Sequence, residues 1–251
     1  MSDTTIAGRV ALVSGAGRGI GLALTEALLG RGARRVYAGA RKPEALATLA
    51  AKFGERVVVL PLDITNQAQV EAAAARATDA DLLINNAGVV EASGAAFEDP
   101  KQLAWSRREM EVNVEGTFRM TQAFAPVLAR NGGGTIVNIV SVAALANFPF
   151  FLSYSLSKAA LHSLTQGTRH MLKSQGTSVL GVYPGPVDTE MAAELELDKA
   201  SPDDVARAIL DGVETGLEEV LPDAMAKEVG AVFFRDPKGL ERQFGATGAA
   251  V

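Results

Sequence analysis

A chain of 251 residues has room for one large α/β domain or two small ones, and a hydrophobic share of 48% supplies a substantial core. A net charge of −5 with 21% charged residues argues against nonspecific attraction to nucleic acid or anionic membrane, which leaves small molecules or further copies of the chain as partners. The absence of cysteine excludes disulfides, thiolate metal sites, iron–sulfur clusters and a cysteine nucleophile, and with only two histidines no dedicated transition-metal site is expected.

The first residues are short and polar, without the charged and apolar regions of a signal peptide, and no apolar run approaches the ~20 residues of a membrane span. A cytoplasmic protein is therefore expected. Short apolar runs follow at 9–14, 35–40, 56–60, 81–84, 135–140 and 177–183, with 217–221 as a seventh. Several are apolar nearly throughout instead of alternating, as parallel strands covered on both faces require. Between them, helical spacing predicts helices over 20–31, 43–53, 67–78, 100–128, 153–173 and 202–215. Thr65 or Asn66 is the expected N-cap of the third, and Ser201 with Pro202 caps and opens the last. The pattern is a doubly wound, Rossmann-like α/β fold, a single domain of about seven parallel strands, in which the loops 91–100 and 189–199 are free to cover a site.

The first run enters Gly15-Ala-Gly-Arg-Gly-Ile-Gly21 just where strand becomes helix. Bare backbone at such a turn can approach a pyrophosphate, and the helix N-terminus offers unpaired N–H groups. A tight strand-to-helix turn without ligand would look the same. The second run ends in Ala40, followed by Arg41 and Lys42, where an acidic residue would hydrogen-bond the ribose of NAD and repel the 2′-phosphate of NADP. Arg18 and Arg41 could converge on one phosphate with no opposing carboxylate, which favours NADP(H). Farther along, Tyr154-Ser-Leu-Ser-Lys158 sets a phenol and an ammonium four residues apart on one helix face. Alone, that pair could equally be an ordinary surface pair. Lys158, together with the positive ring of an oxidised nicotinamide, would favour phenolate and lower the ordinary tyrosine pKa of ~10, easing proton exchange.

Taken together these segments resemble the short-chain dehydrogenase/reductase family, NADP(H)-preferring type, over about residues 9–222. Ser14 and the glycines match its Thr-Gly-x-x-x-Gly-x-Gly motif with serine in place of threonine, a spacing distinct from Gly-x-Gly-x-x-Gly. The resemblance implies cofactor contacts from Ser14, Gly15, Gly17, Arg18, Gly19, Ile20, Gly21 and Arg41. It extends them to Asp63 in the adenine-contacting segment, to Asn86, Ala87 and Gly88 of Asn-Asn-Ala-Gly, and to Pro184, Gly185, Val187 and Thr189 at the nicotinamide end. It further implies a catalytic tetrad of Asn113, Ser141, Tyr154 and Lys158, the last two also touching cofactor. Tyr154 would exchange the proton, Ser141 would hold the substrate oxygen, and Asn113 would hold a water relaying protons from Lys158. Family members form dimers or tetramers through the tyrosine-bearing helix and the last strand, so a homo-oligomer is expected.

The expected activity is NADP(H)-dependent interconversion of a carbonyl and an alcohol, of the carbonyl reductase or alcohol dehydrogenase type. Val89, Val90, Val142, Ala143, Leu145, Phe148, Phe150, Phe151, Met191 and Leu195 would make the substrate side apolar, suited to a hydrophobic ketone or aldehyde, although several could be core or interface. Two other readings stay open. One is an NADP(H)-binding regulatory protein without turnover; the other is an epimerase or dehydratase, which the roughly 60 residues after Thr189 disfavour. His162, four residues past Lys158, is read as packing or facing a subunit neighbour, and Trp105 as buried packing.

Overall fold

The computed structural model describes residues 5–91 and 93–247. Seven parallel strands form one sheet in the order β3-β2-β1-β4-β5-β6-β7. They are β1 (Val10–Ser14), β2 (Arg35–Ala40), β3 (Val57–Pro61), β4 (Leu82–Asn85), β5 (Thr135–Ile139), β6 (Ser178–Val182) and β7 (Glu219–Val220). Chain order reverses between β1 and β4, which opens a crevice at the carboxyl ends of the strands.

The unbroken apolar runs are explained by burial on both faces. Along β1, Ala11 and Val13 join a core layer with Leu24 and Leu28 of α1 (Gly19–Gly30) and Ile209 of α7 (Pro202–Glu214). Val10 and Leu12 face the opposite layer, with Val70 of α3 (Gln67–Arg76) and Phe124 of α5 (Thr117–Arg130). Adjacent residues thus serve different layers, and each fully buried aliphatic contributes about 1.5–3 kcal/mol. Asn66 accepts the Gln69 amide at 3.2 Å and Ser201 the Asp204 amide at 3.0 Å, both N-caps at the helix starts foreseen. The segment 43–53 begins as a 3-10 turn at Pro43–Leu46 before α2 (Ala47–Phe53).

Two departures from the expected elements shape the site. The single helix anticipated over 100–128 is α4 (Gln102–Glu109), a π-helical stretch Met110–Gly116, and then α5. The cause is tertiary: Asn113 is drawn between Val89 and Ser157, and Gly116 lies so close to Ile64 that a Cβ would sit 2.7 Å from it. After β7, helices α8 (Ala224–Arg235) and α9 (Pro237–Thr247) border one end of the cleft at the carboxyl edge of the sheet. Asp223 caps α8 through the Ala226 amide (2.8 Å), and Asp236 before Pro237 accepts the Gly239 amide (2.8 Å). That Asp-Pro pair is a start signal present in the sequence. The long helix α6 (Leu152–Leu172) carries the Tyr154/Lys158 face. Ala92, within the first anticipated loop, lies outside the described residues.

Candidate active site

A cleft of about 1220 Å³ follows the carboxyl edge of the sheet. It exceeds the ~300–1,000 Å³ common for a single ligand. At one end β1 runs into the glycine turn. Gly15 (φ +68°) and Gly19 (φ +52°) adopt the left-handed conformation that glycine tolerates. Helix α1 then begins with no side-chain cap and no acidic residue in its first turn, so its leading N–H groups are free to meet an anion.

Gly15, Gly17, Arg18, Gly19 and Ile20 line this end with Arg41, Asp63, Asn86, Ala87 and Gly88. Ser14 and Gly21 do not. The Ser14 hydroxyl accepts the amides of Asn86 (3.0 Å) and Ala87 (3.1 Å), tying the turn to the loop after β4. A Cβ on Gly21 would lie 2.2 Å from the Gly15 carbonyl oxygen, so Gly21 allows the turn to close on itself. Both residues shape the turn from behind the cleft wall.

The arginines also differ from expectation, because carboxylates do face them. Glu190, from the turn after β6, pairs with Arg18, and Asp63 feels both Arg41 and Arg108. Burial works against the Asp63 charge, but the Thr65 amide (2.9 Å) and hydroxyl (2.8 Å), with the two arginines, hold its carboxyl below the usual range. The end of β2 itself remains free of acid. Arg108, on α4, borders the cleft and pairs with Glu111 at 2.8 Å; no local pattern in the sequence marks it.

At the other end, Ser141, Tyr154 and Lys158 meet across the cleft. The Val140 amide bonds Val182 (2.7 Å) and the Val142 amide bonds Pro184 (3.0 Å), so the β5–β6 pairing continues past the strand ends and fixes Ser141 between them. Lys158 donates to the Ile139 carbonyl at 2.9 Å and lies 5.5 Å from the Tyr154 ring centre. Burial pushes Lys158 down to about 8, with Glu109 pulling it back up. Burial likewise pushes Tyr154 up to about 12; contact with Ser141 lowers it and Glu109 raises it further. Desolvation thus dominates at Tyr154 in the free protein and favours the protonated phenol.

Asn113 lies behind the wall, fully engaged. It accepts the Val89 amide (2.8 Å) and donates to the Val89 carbonyl (3.0 Å) and the Ser157 hydroxyl (3.0 Å). Pro184, Gly185, Val187 and Thr189 border the cleft between the two ends. His162 packs against Tyr183, its Nδ1 2.7 Å from the Tyr183 hydroxyl and the two rings edge-on at 5.5 Å between centres.

Of the anticipated apolar lining, Val89, Val90, Val142, Ala143, Phe148, Phe151, Met191 and Leu195 border the cleft. Leu145 instead packs into the core, and Phe150 lines a separate depression beside Gly94. Helices α8 and α9 add Met225, Glu228, Val229, Gln243 and Phe244, the last stacking edge-on to Phe148 at 5.4 Å between ring centres. Among the described residues no helix is long and apolar enough to cross a membrane, and no group of side chains could hold a metal ion.

A glycine-rich turn at the switch point of a parallel sheet, with a tyrosine–lysine pair across the same cleft, defines a Rossmann-type oxidoreductase architecture. The family model described as short chain dehydrogenase matches residues 9–200, and the chain belongs to that family of oxidoreductases. A relative from Staphylococcus aureus (strain USA300), an uncharacterized oxidoreductase, is 34% identical over 82% of this chain and 91% of its own. A short chain dehydrogenase from Burkholderia cenocepacia J2315, crystallised with NADP, is 43% identical, with a TM-score of 0.88 over 96% of this chain and 98% of that one. A short chain dehydrogenase/reductase from Burkholderia phymatum, crystallised with NAD, is 26% identical, with a TM-score of 0.82 over 95% and 96%.

Proposed function

We propose that the protein is an NADP(H)-dependent carbonyl reductase or alcohol dehydrogenase, acting on a hydrophobic ketone or aldehyde through Tyr154. The observation that carries this reading is the Tyr154 side chain beside Lys158 and Ser141, in a cleft continuous with the glycine turn. When bound, the nicotinamide supplies or accepts the hydride. Tyr154 gives its proton to the carbonyl oxygen on reduction and takes it back on oxidation. Lys158 steadies the phenolate so formed, and Ser141 donates a hydrogen bond to the substrate oxygen. Asn113, through Ser157 and the Val89 loop, holds the Lys158 side of the site in place, which supports its assignment to the tetrad.

Arg18 and Arg41, with Ala40 in place of an acid, favour the 2′-phosphate of NADP, and the 43%-identical Burkholderia cenocepacia structure holding NADP supports the same choice. On the substrate side the one charged lining group from α8 and α9 is the Glu228 carboxylate, which repels carboxylates and phosphates. The loop 189–199, which carries Met191 and Leu195 in the cleft wall, covers the bound substrate, whereas Gly94, Ala95, Ala96 and Phe97 of the loop 91–100 line the separate depression beside Phe150.

The test is consumption of NADPH and of NADH against aliphatic, aryl and keto-acid carbonyls. Turnover with NADPH and neutral aryl or alkyl ketones is expected, and Arg41→Ala should raise the Kd for NADPH about tenfold, worth ~1.4 kcal/mol, while leaving NADH unchanged. Equal kcat/KM for the two cofactors in the wild type, or saturation only by small keto acids, overturns the reading. Exposed Leu156 and Met171 on α6 support assembly through that helix. Light scattering should show a dimer or tetramer; a monomer at assay concentration refutes it.

A further inference from the structure

Glu109, the last residue of α4, is completely buried, and among the described residues its Oε2 has no hydrogen-bond partner. A buried carboxylate oxygen left without a hydrogen bond is costly. Glu109 contributes nothing to the apolar core. Its placement points elsewhere.

Glu109 and Asn113 stand one turn apart and hook alternate residues of the loop after β4. Asn113 takes the Val89 amide at 2.8 Å and Glu109 Oε1 takes the Glu91 amide at 2.9 Å. The same two residues face α6 at two positions, also one turn apart. Asn113 bonds Ser157 at 3.0 Å, and the Ser153 hydroxyl favours the Glu109 charge without closing a bond to Oε2. On α6, Ser153 and Ser157 immediately precede Tyr154 and Lys158, so the side facing α4 and the side facing the cleft are adjacent.

We propose that Glu109 is a positioning residue for the reaction, a buried carboxylate that ties the loop after β4 to the end of α4 behind the Tyr154/Lys158 pair and acts on that pair through its charge. This rests on the function proposed above. The charged groups felt at Glu109 are Glu91, which opposes its ionisation, and Lys158, which favours it; burial opposes it most. Its charge acts in turn on Lys158 and Tyr154, disfavouring proton loss from both. Without it, both groups release their protons at lower pH.

The experiment compares Glu109→Gln with wild type in three readouts. Ketone reduction should fall with rising pH as Lys158 loses its charge near 8, and in the variant this limb should move down by about half a unit or more. Tyrosinate absorbance of the free protein, with Tyr154→Phe as the blank, should show Tyr154 ionising earlier in the variant. Melting temperature should stay close to that of the wild type, because glutamine keeps the length of the side chain and an acceptor for the Glu91 amide. Glu109→Met, of similar length and uncharged, gives the same comparison if the glutamine variant does not fold. Unchanged midpoints in both the rate profile and the tyrosinate titration, or a lower melting temperature with unchanged midpoints, overturns the proposal. The tyrosinate readout needs no turnover, so failure of the whole catalytic reading, with no NADPH oxidised by any carbonyl, is distinguishable from failure of this one.

Discussion

Tyr154→Phe is expected to lower the rate of carbonyl reduction about 10²–10⁴-fold, the usual worth of a positioned proton donor, while the Kd for NADPH changes by no more than a few-fold. Phenylalanine keeps the edge-on contact that Tyr154 makes with Phe151, 6.3 Å between ring centres, so the loss falls on the hydroxyl and not on packing. A thousandfold loss corresponds to ~4 kcal/mol of transition-state stabilisation. The sign with pH is fixed by the groups that remain. A phenol pushed up to about 12 stays protonated across the neutral range, so in the wild type Tyr154 does not limit reduction there, and the fall above about 8 belongs to Lys158. Oxidation of the alcohol needs the phenolate and should still be rising in that range. Stopped-flow NADPH oxidation with a neutral ketone, beside fluorescence titration of NADPH, measures both quantities. If the phenylalanine variant keeps more than about a tenth of the wild-type rate, water or Ser141 delivers the proton and Tyr154 does not.

What the sequence made legible were features encoded locally. Runs such as Val10-Ala-Leu-Val announce strands because every residue is apolar, and the two core layers on either side of β1 are the reason. Asn66, Ser201 and Pro202 announced helix starts because a cap is a contact within four residues. Tyr154 and Lys158 share a helix face by spacing alone. The features that stayed hidden depend on what lies opposite. Glu190 reaches Arg18 across 172 positions of sequence, the π-helical stretch forms because Asn113 is held by Val89 and Ser157, and Glu109 is exceptional only for what surrounds it. The upward shift of Tyr154 in the free protein stayed hidden for the same reason: desolvation is set by neighbours that spacing does not specify. Helix α9 is a different case, since Asp236-Pro237 did mark its start.

Gly21→Ala tests the opposite extreme, a position outside the cleft wall that nonetheless controls the nucleotide end. The added Cβ would meet the Gly15 carbonyl oxygen at 2.2 Å and Asn86 Nδ2 at 2.5 Å, and neither neighbour can yield cheaply. Gly15 is held in the left-handed conformation, and Asn86 Nδ2 is committed to the carbonyls of Ser14 (3.0 Å) and Gly15 (3.1 Å). Relief therefore requires the glycine turn to part from the start of α1 or from the loop after β4, and each of these carries backbone facing the cleft. Overpacking of this kind costs about 1–3 kcal/mol, which in a domain of this size lowers Tm by roughly 2–12 °C. The displaced turn also loses its alignment with the free N–H groups of α1, so the Kd for NADPH should rise at least about tenfold even in the fraction that stays folded. Differential scanning fluorimetry with and without NADPH separates the two effects. A variant with wild-type Tm and wild-type NADPH-induced stabilisation would mean that the turn does not depend on the Gly15–Gly21 contact, and that the nucleotide is held by some other part of the cleft.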